Sequence, residues 1–180
     1  MDTVSLLEKI RVFADEVHGE QLRKYTPERY IVHPVRVMEL CREYDNRLEI
    51  LAAAFLHDVV EDTPVSLLEI ETFLKTLMPA QQAKKIRKLV DELTDVYIKQ
   101  DYPHLNRNKR KELENERLSK VSADAQTIKY ADLIDNCLDI VPHDPGLGRK
   151  FISEALALLS KATQGNADLR KRAIQIISTM

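Results

Sequence analysis

The 180-residue sequence predicts an all-α protein, a single compact helical bundle of about eight to nine helices. Two observations carry this expectation. Apolar residues recur at helical spacing along nearly the whole chain, and only four glycines interrupt them. The breaks fall instead at prolines and polar clusters, with no internal repeat, low-complexity stretch or second composition, so one domain over residues 1–180 is expected.

The elements follow in order. Leu6, Ile10, Phe13 and Val17 share one face of a first helix over about residues 4–17. Residues 19–32 read as irregular, with Pro27 and the basic pair Arg23-Lys24. Pro34 suits the first turn of a second helix, where its missing N–H is not needed, and Val35, Met38 and Cys41 continue that helix. A third helix over about 47–61 stops at Thr63-Pro64, since the residue before proline avoids the helical region. Ser66 and Glu69 form a capping-box pattern that opens a fourth helix. A fifth spans about 80–93. Residues 95–107 (DVYIKQDYPHLNR) read as a polar and aromatic loop, long enough to contribute to a site. A highly charged helix with a solvated face follows over about 108–120, and another over about 123–141. Pro142 to Gly148 reads as a break, after which two more helices close the chain.

Composition excludes several classes. The net charge of -2 argues against a dedicated nucleic-acid binder. No apolar run reaches the roughly 18 residues of a membrane span, and the N-terminus has no signal-peptide pattern. Cys41 and Cys137 lack any CxxC or secreted-type spacing, which favours a reducing compartment. A soluble, cytoplasmic protein is expected.

The chemistry concentrates in three segments. His57-Asp58 follows the apolar run Ile50 to Leu56 and precedes Glu61-Asp62, putting an imidazole and three carboxylates directly behind a helix that reads as buried. Buried charge is costly unless compensated, and a divalent cation compensates it by favouring carboxylate and accepting neutral imidazole. His33 stands at the start of the second helix, and Asp132 sits among apolar residues on a later one. Two imidazoles and two carboxylates form a mixed N/O set that suits Mn²⁺, Fe²⁺ or Zn²⁺ better than Ca²⁺. Glu61 and Asp62 are too many carboxylates to be ligands as well, which points to catalytic roles: orienting a metal-activated water or moving its proton. Arg23, Lys24, Arg36 and Lys129 are the cations available to offset phosphates on a substrate.

These residues carry a resemblance. His33, His57-Asp58 and Asp132 match the H…HD…D signature of the HD-domain metal-dependent phosphohydrolases. Gln21 to Lys24, Tyr30 to Val35, Ala53 to Thr63, and Lys129-x-Ala-Asp132 with Asn136 are similar to the hydrolase domain of the Rel/Spo alarmone enzymes. The similarity is greatest to their small stand-alone hydrolases. Val90 to Asp95 also resembles them, so the likeness covers roughly residues 5–140.

The resemblance implies an HD-type all-α fold and one Mn²⁺, or another divalent transition metal, held by His33, His57, Asp58 and Asp132. It implies that Glu61 and Asp62 activate water, that Arg23 and Lys24 contact the nucleotide base, and that Asn136 lies near the ribose, with Lys129 among the substrate-binding residues. The implied reaction removes the 3′-diphosphate of guanosine tetra- or pentaphosphate, giving GDP or GTP and pyrophosphate. Leu133, Asp135 and Leu138 depart from the family's pattern of Arg or Lys, His or Tyr, and Arg at these places. They keep open an adenosine alarmone, the 2′-phosphate of NADPH or a nucleoside monophosphate as substrate. A nucleotide sensor without turnover ranks last, because no ligand and neither acid is lost. The partner expected is a small nucleotide, not nucleic acid or membrane; oligomeric state is left open.

Overall fold

A computed structural model describes residues 2–180. Among these, the chain forms ten helical segments: α1 (Thr3–His18), α2 (Val32–Arg42), α3 (Leu48–Leu56), α4 (Val59–Asp62), α5 (Leu67–Leu77), α6 (Ala80–Leu93), α7 (Arg107–Leu118), α8 (Ala123–His143), α9 (Pro145–Lys161) and α10 (Ala167–Ser178). The all-α expectation therefore holds. An isolated antiparallel bridge between Leu22 and Arg29 closes the turn in residues 19–31. The helices group into two compact units, Met1–Thr94 and Asp95–Met180.

In the first unit α3 is the centre. Ile50 to Leu56 are all buried, because the helix is apolar on every face and must be covered all round. It packs against α1, α2 and α6. α1 ends at Gly19, whose positive φ of 56° is the left-handed conformation that glycine adopts without steric cost. The expected capping box is formed: the Ser66 hydroxyl accepts from the Glu69 N–H at 3.3 Å, and the Glu69 carboxylate accepts from the Ser66 N–H at 2.8 Å.

The expected third helix over 47–61 is divided. α3 stops at Leu56 and the single turn α4 starts at Val59, which brings the segments to ten rather than eight or nine. The cause is His57. Its Nδ1 lies 2.8 Å from the Ala54 carbonyl, the acceptor that the Asp58 N–H would take in an unbroken helix. Asp58 then rests at φ -97°, ψ -5°, the bridge region where turns and many active-site residues sit. The Asp62 N–H still donates to the Asp58 carbonyl at 2.9 Å, so one turn separates the two aspartates, as the spacing predicts.

In the second unit α8 packs against α9 and α10, and α7 packs against α9. The Tyr130 hydroxyl, fully buried on α8, donates to the Ala162 carbonyl at 2.7 Å. At Gly165 a Cβ would stand 2.6 Å from the Tyr130 ring, so the close approach requires glycine. One expectation changes here. The helix does not break at Pro142 but continues to His143; a proline in the last turn forfeits only one intrahelical bond. The break shrinks to Asp144, whose N–H donates to the Ile140 carbonyl while its side chain caps α9 through the Leu147 N–H at 3.0 Å. α7 has the expected solvated face, with Lys109, Glu112 and Glu116 exposed, while Glu114 on its other face is buried. It accepts from the N–H groups of Val96 and Tyr97, both at 3.0 Å, and from Arg117 at 2.6 Å, and so pins the start of loop 95–106.

Candidate metal centre

The first unit brings together His33, His57 and Asp58. His33 is carried into the second position of α2, where its N–H donates to the Tyr30 carbonyl at 3.0 Å. His57 caps α3, which is buried from Ile50 onwards, and both imidazoles are themselves buried. The Asp58 Oδ2 lies 3.4 Å from the His33 Nε2 and 3.2 Å from the His57 Nε2, and one ligand atom of each residue falls within 4.8 Å of the other two. Donors held about 2.1 Å from a common ion lie roughly 3.0 Å apart at octahedral angles and 3.4 Å apart at tetrahedral ones. The observed separations fit that range.

The chemistry of the donors fits as well. With its Nδ1 proton given to the Ala54 carbonyl, a neutral His57 presents the bare Nε2 lone pair towards Asp58, as a ligating histidine does. Without a metal, burial would raise the Asp58 carboxyl, but His57 and His33 in their protonated form, whose place beside it a bound cation would take over, hold the group well below the usual carboxylate range by charge and hydrogen bonding. Asp58 is thus an anion facing two imidazole nitrogens. His33, His57 and Asp58 can hold a divalent metal ion.

Around this set lie residues that sequence reasoning did not assign. The Tyr30 hydroxyl donates to the Asp58 Oδ2 at 2.6 Å. Burial first, and then the charges of Asp58 and Asp62, push its phenol up, so it stays protonated and remains a donor. The Gln21 Nε2 donates to the Asp62 Oδ2 at 3.0 Å, and the Gln21 Oε1 lies 2.9 Å from the Nδ1 of His18. The signal was present but unread, since Gln21 and Tyr30 both stand in the strings that carry the resemblance.

The other predicted residues are placed as follows. Glu61 and Asp62 lie exposed on α4. Arg23 is buried with its guanidinium 5.6 Å from the centre of the Tyr30 ring, whereas Lys24 is exposed, its amine 4.8 Å from the Tyr25 ring. Arg36 pairs with Glu28 at 3.1 Å. In the second unit Asp132, Lys129 and Asn136 meet on one face of α8. The Lys129 amine is 2.7 Å from one Asp132 oxygen, and the Asn136 amide donates to the other at 2.6 Å. Asp132 is buried, with relative exposure of 4%. No helix among the described residues is long and apolar enough to cross a membrane.

Comparison with known proteins gives the family. The family model described as "HD domain" matches residues 30–137. A guanosine-3′,5′-bis(diphosphate) 3′-pyrophosphohydrolase MESH1 of Xenopus tropicalis is 31% identical over 158 residues, covering 85% of this chain and 80% of the relative. A probable guanosine-3′,5′-bis(diphosphate) 3′-pyrophosphohydrolase of Synechocystis is 49% identical over 59 residues, 33% of this chain. The chain spans 8% of that relative's length. A solved structure, described as a metazoan ortholog of SpoT that hydrolyzes ppGpp, superposes with a TM-score of 0.80 at 26% identity, covering 97% of this chain and 95% of the other.

Proposed function

The chain belongs to the HD domain family, and from that premise we propose that it is a metal-dependent phosphohydrolase removing the 3′-diphosphate of guanosine tetra- or pentaphosphate. The products are GDP or GTP and pyrophosphate. The observation that carries the reading is the convergence of two imidazole nitrogens on the Asp58 carboxylate, 3.2 and 3.4 Å away, in a chain whose relatives are named for this reaction. The family match runs across the boundary between the two units, which supports treating residues 1–180 as one HD-type domain.

In this reading His33, His57, Asp58 and Asp132 are the ligands, with Mn²⁺ as the preferred ion. When bound, the ion lowers the pKa of water towards about 7 and offsets phosphate charge. Asp62 and Glu61, one turn beyond the ligands His57 and Asp58, take the proton of the attacking water. The water oxygen bonds to phosphorus, the bond to the ribose 3′ oxygen breaks, and that oxygen leaves with a proton. Arg23 and Lys24 hold the base, Lys129 offsets the charge of the phosphates, and Asn136 lies by the ribose. A buried guanidinium stacked on Tyr30 suits the base-holding role better than a solvated cation would, because its direction is fixed.

The test is pyrophosphate release from guanosine tetraphosphate by wild type and Asp58→Ala across a metal series. Wild type should turn over best with Mn²⁺ and the variant should not. Wild-type turnover no higher than that of the variant at every metal sinks the proposal. A second reading, the same chemistry on another nucleotide, rests on Asp135, a buried acid on α8 at a place where the pattern of the resembled family has His or Tyr. Competition among guanosine and adenosine alarmones, NADPH and nucleoside monophosphates decides between the two.

A further inference from the structure

One group at this site has a hydrogen-bonding pattern that the hydrolase reading does not require. Asp62, as a carboxylate, only accepts, so the Gln21 amide must turn its Nε2 towards Asp62 and its Oε1 towards His18. An oxygen facing the His18 Nδ1 at 2.9 Å demands a proton on that nitrogen. The other ring nitrogen, Nε2, is buried without a hydrogen-bond partner, a place where a bare lone pair is tolerated better than an N–H. The orientation of one amide therefore fixes the tautomer of a histidine that touches neither acid nor ligand.

The same ring also touches the residue that serves the other aspartate. His18 packs on Tyr30 with ring centres 4.6 Å apart, and the Tyr30 hydroxyl donates to Asp58 at 2.6 Å. His18 comes from the last turn of α1, Gln21 from the turn after it, and Tyr30 from the residues before α2. Three elements outside the 57–62 segment thus converge on it through one imidazole. Asp62 is exposed, and an exposed carboxylate with a single turn of helix behind it has no packing to fix its rotamer. Gln21 supplies the direction that packing does not.

We propose that His18 and Gln21 are positioning residues for the hydrolysis: the His18 ring, through its Nδ1–H, orients the Gln21 amide, which aims Asp62 at the water. This rests on the hydrolase reading for its kinetic consequence, but not for its structural one. A positioning role needs no contact of either residue with substrate, so their loss should slow the chemical step and leave substrate binding in place.

The experiment has two arms. In steady-state hydrolysis of guanosine tetraphosphate with saturating Mn²⁺, Gln21→Leu and His18→Phe should each lower kcat about 10-fold with KM within about twofold, the usual scale for groups that orient a metal site's residues. His18→Asn puts an amide N–H where the Nδ1 stood and should recover kcat to within about threefold of wild type. His18→Phe keeps an aromatic ring on Tyr30, so a merely structural role for that ring predicts the reverse order. In the second arm, ¹⁵N NMR of the wild type loaded with diamagnetic Zn²⁺ in place of Mn²⁺ should show the His18 proton on Nδ1, with the Nδ1–H signal shifting in Gln21→Leu.

Wild-type kcat in Gln21→Leu, or equal losses in His18→Phe and His18→Asn, overturns the positioning role. A His18 proton on Nε2 overturns it as well. A wild type that turns over no guanosine tetraphosphate defeats the hydrolase reading instead, and the NMR arm still decides the tautomer. If the buried His18 variants do not fold, Gln21→Leu at its half-buried position carries the kinetic arm alone.

Discussion

Two aspartates in this chain are held in opposite ways. Asp132 is satisfied by its own helix: Lys129 lies three residues before it and Asn136 four after, each serving one carboxylate oxygen. Asp58 sits where the helix has been interrupted, and its neighbours come from afar, with Tyr30 28 residues away and the His33 imidazole beside it. The first arrangement neutralises charge inside one element and needs nothing else to fold. The second aims nitrogen lone pairs and a carboxylate at one another, an arrangement that favours a cation. Burial of an acid is therefore poor evidence of a site; what faces the acid decides.

The largest expected effect tests the Asp58 side of this contrast. Asp58→Ala or His57→Ala should cut hydrolysis by at least about 10³-fold, roughly 4 kcal/mol of barrier, and abolish the rise in Tm that Mn²⁺ gives the wild type. Next comes the Asp132 side. Lys129→Met leaves a buried carboxylate short of its cation and should cost about 2 kcal/mol in urea unfolding of the metal-free protein. Mn²⁺ should recover much of that loss if Asp132 is a ligand, and a loss that Mn²⁺ leaves unchanged removes Asp132 from the set. Smaller again, Tyr30→Phe deletes the donor to Asp58 and should weaken Mn²⁺ about 10-fold by calorimetric titration.

The smallest effect is in pH. The folded Asp58 carboxyl lies well below its ordinary 3.8, so the unfolded chain binds more protons in that range. Its contribution is fully present above about pH 4 and is lost as pH falls through the lower, folded value. Urea midpoints of metal-free wild type and Asp58→Asn from pH 6 to 3 should converge towards the acid end, whereas parallel curves would mean that Asp58 is held no differently from an exposed acid.

Much of the fold was legible because it is written locally. α6 spans about the residues its periodicity predicts, and Ser66 and Glu69 announce their own capping box three residues apart. The clustering of His33, His57 and Asp58, which could hold a metal, was legible for a different reason, since imidazole and carboxylate on a buried helix need compensation whatever the fold. The division of the third helix was not legible, because it depends on which way the His57 ring turns. Neither was the Gln21–Asp62 contact, which joins residues 41 apart in sequence and which no periodicity encodes. Pro142 misled for a local reason: a proline reads as a stop unless the helix is already ending.

Glu114 carries one further consequence. It grips the backbone of residues 96 and 97, Lys111 holds Asp95 at 3.0 Å, and Arg110 holds the Leu105 carbonyl at the other end of the loop. The stretch between these tethers, with Lys99 and Asp101 exposed, is bounded by anchors that do not run through it. Length can be added there, or the chain nicked at Lys99 by trypsin, while both stubs stay fastened to α7. The segment is thus a natural place for an epitope tag or a fluorophore.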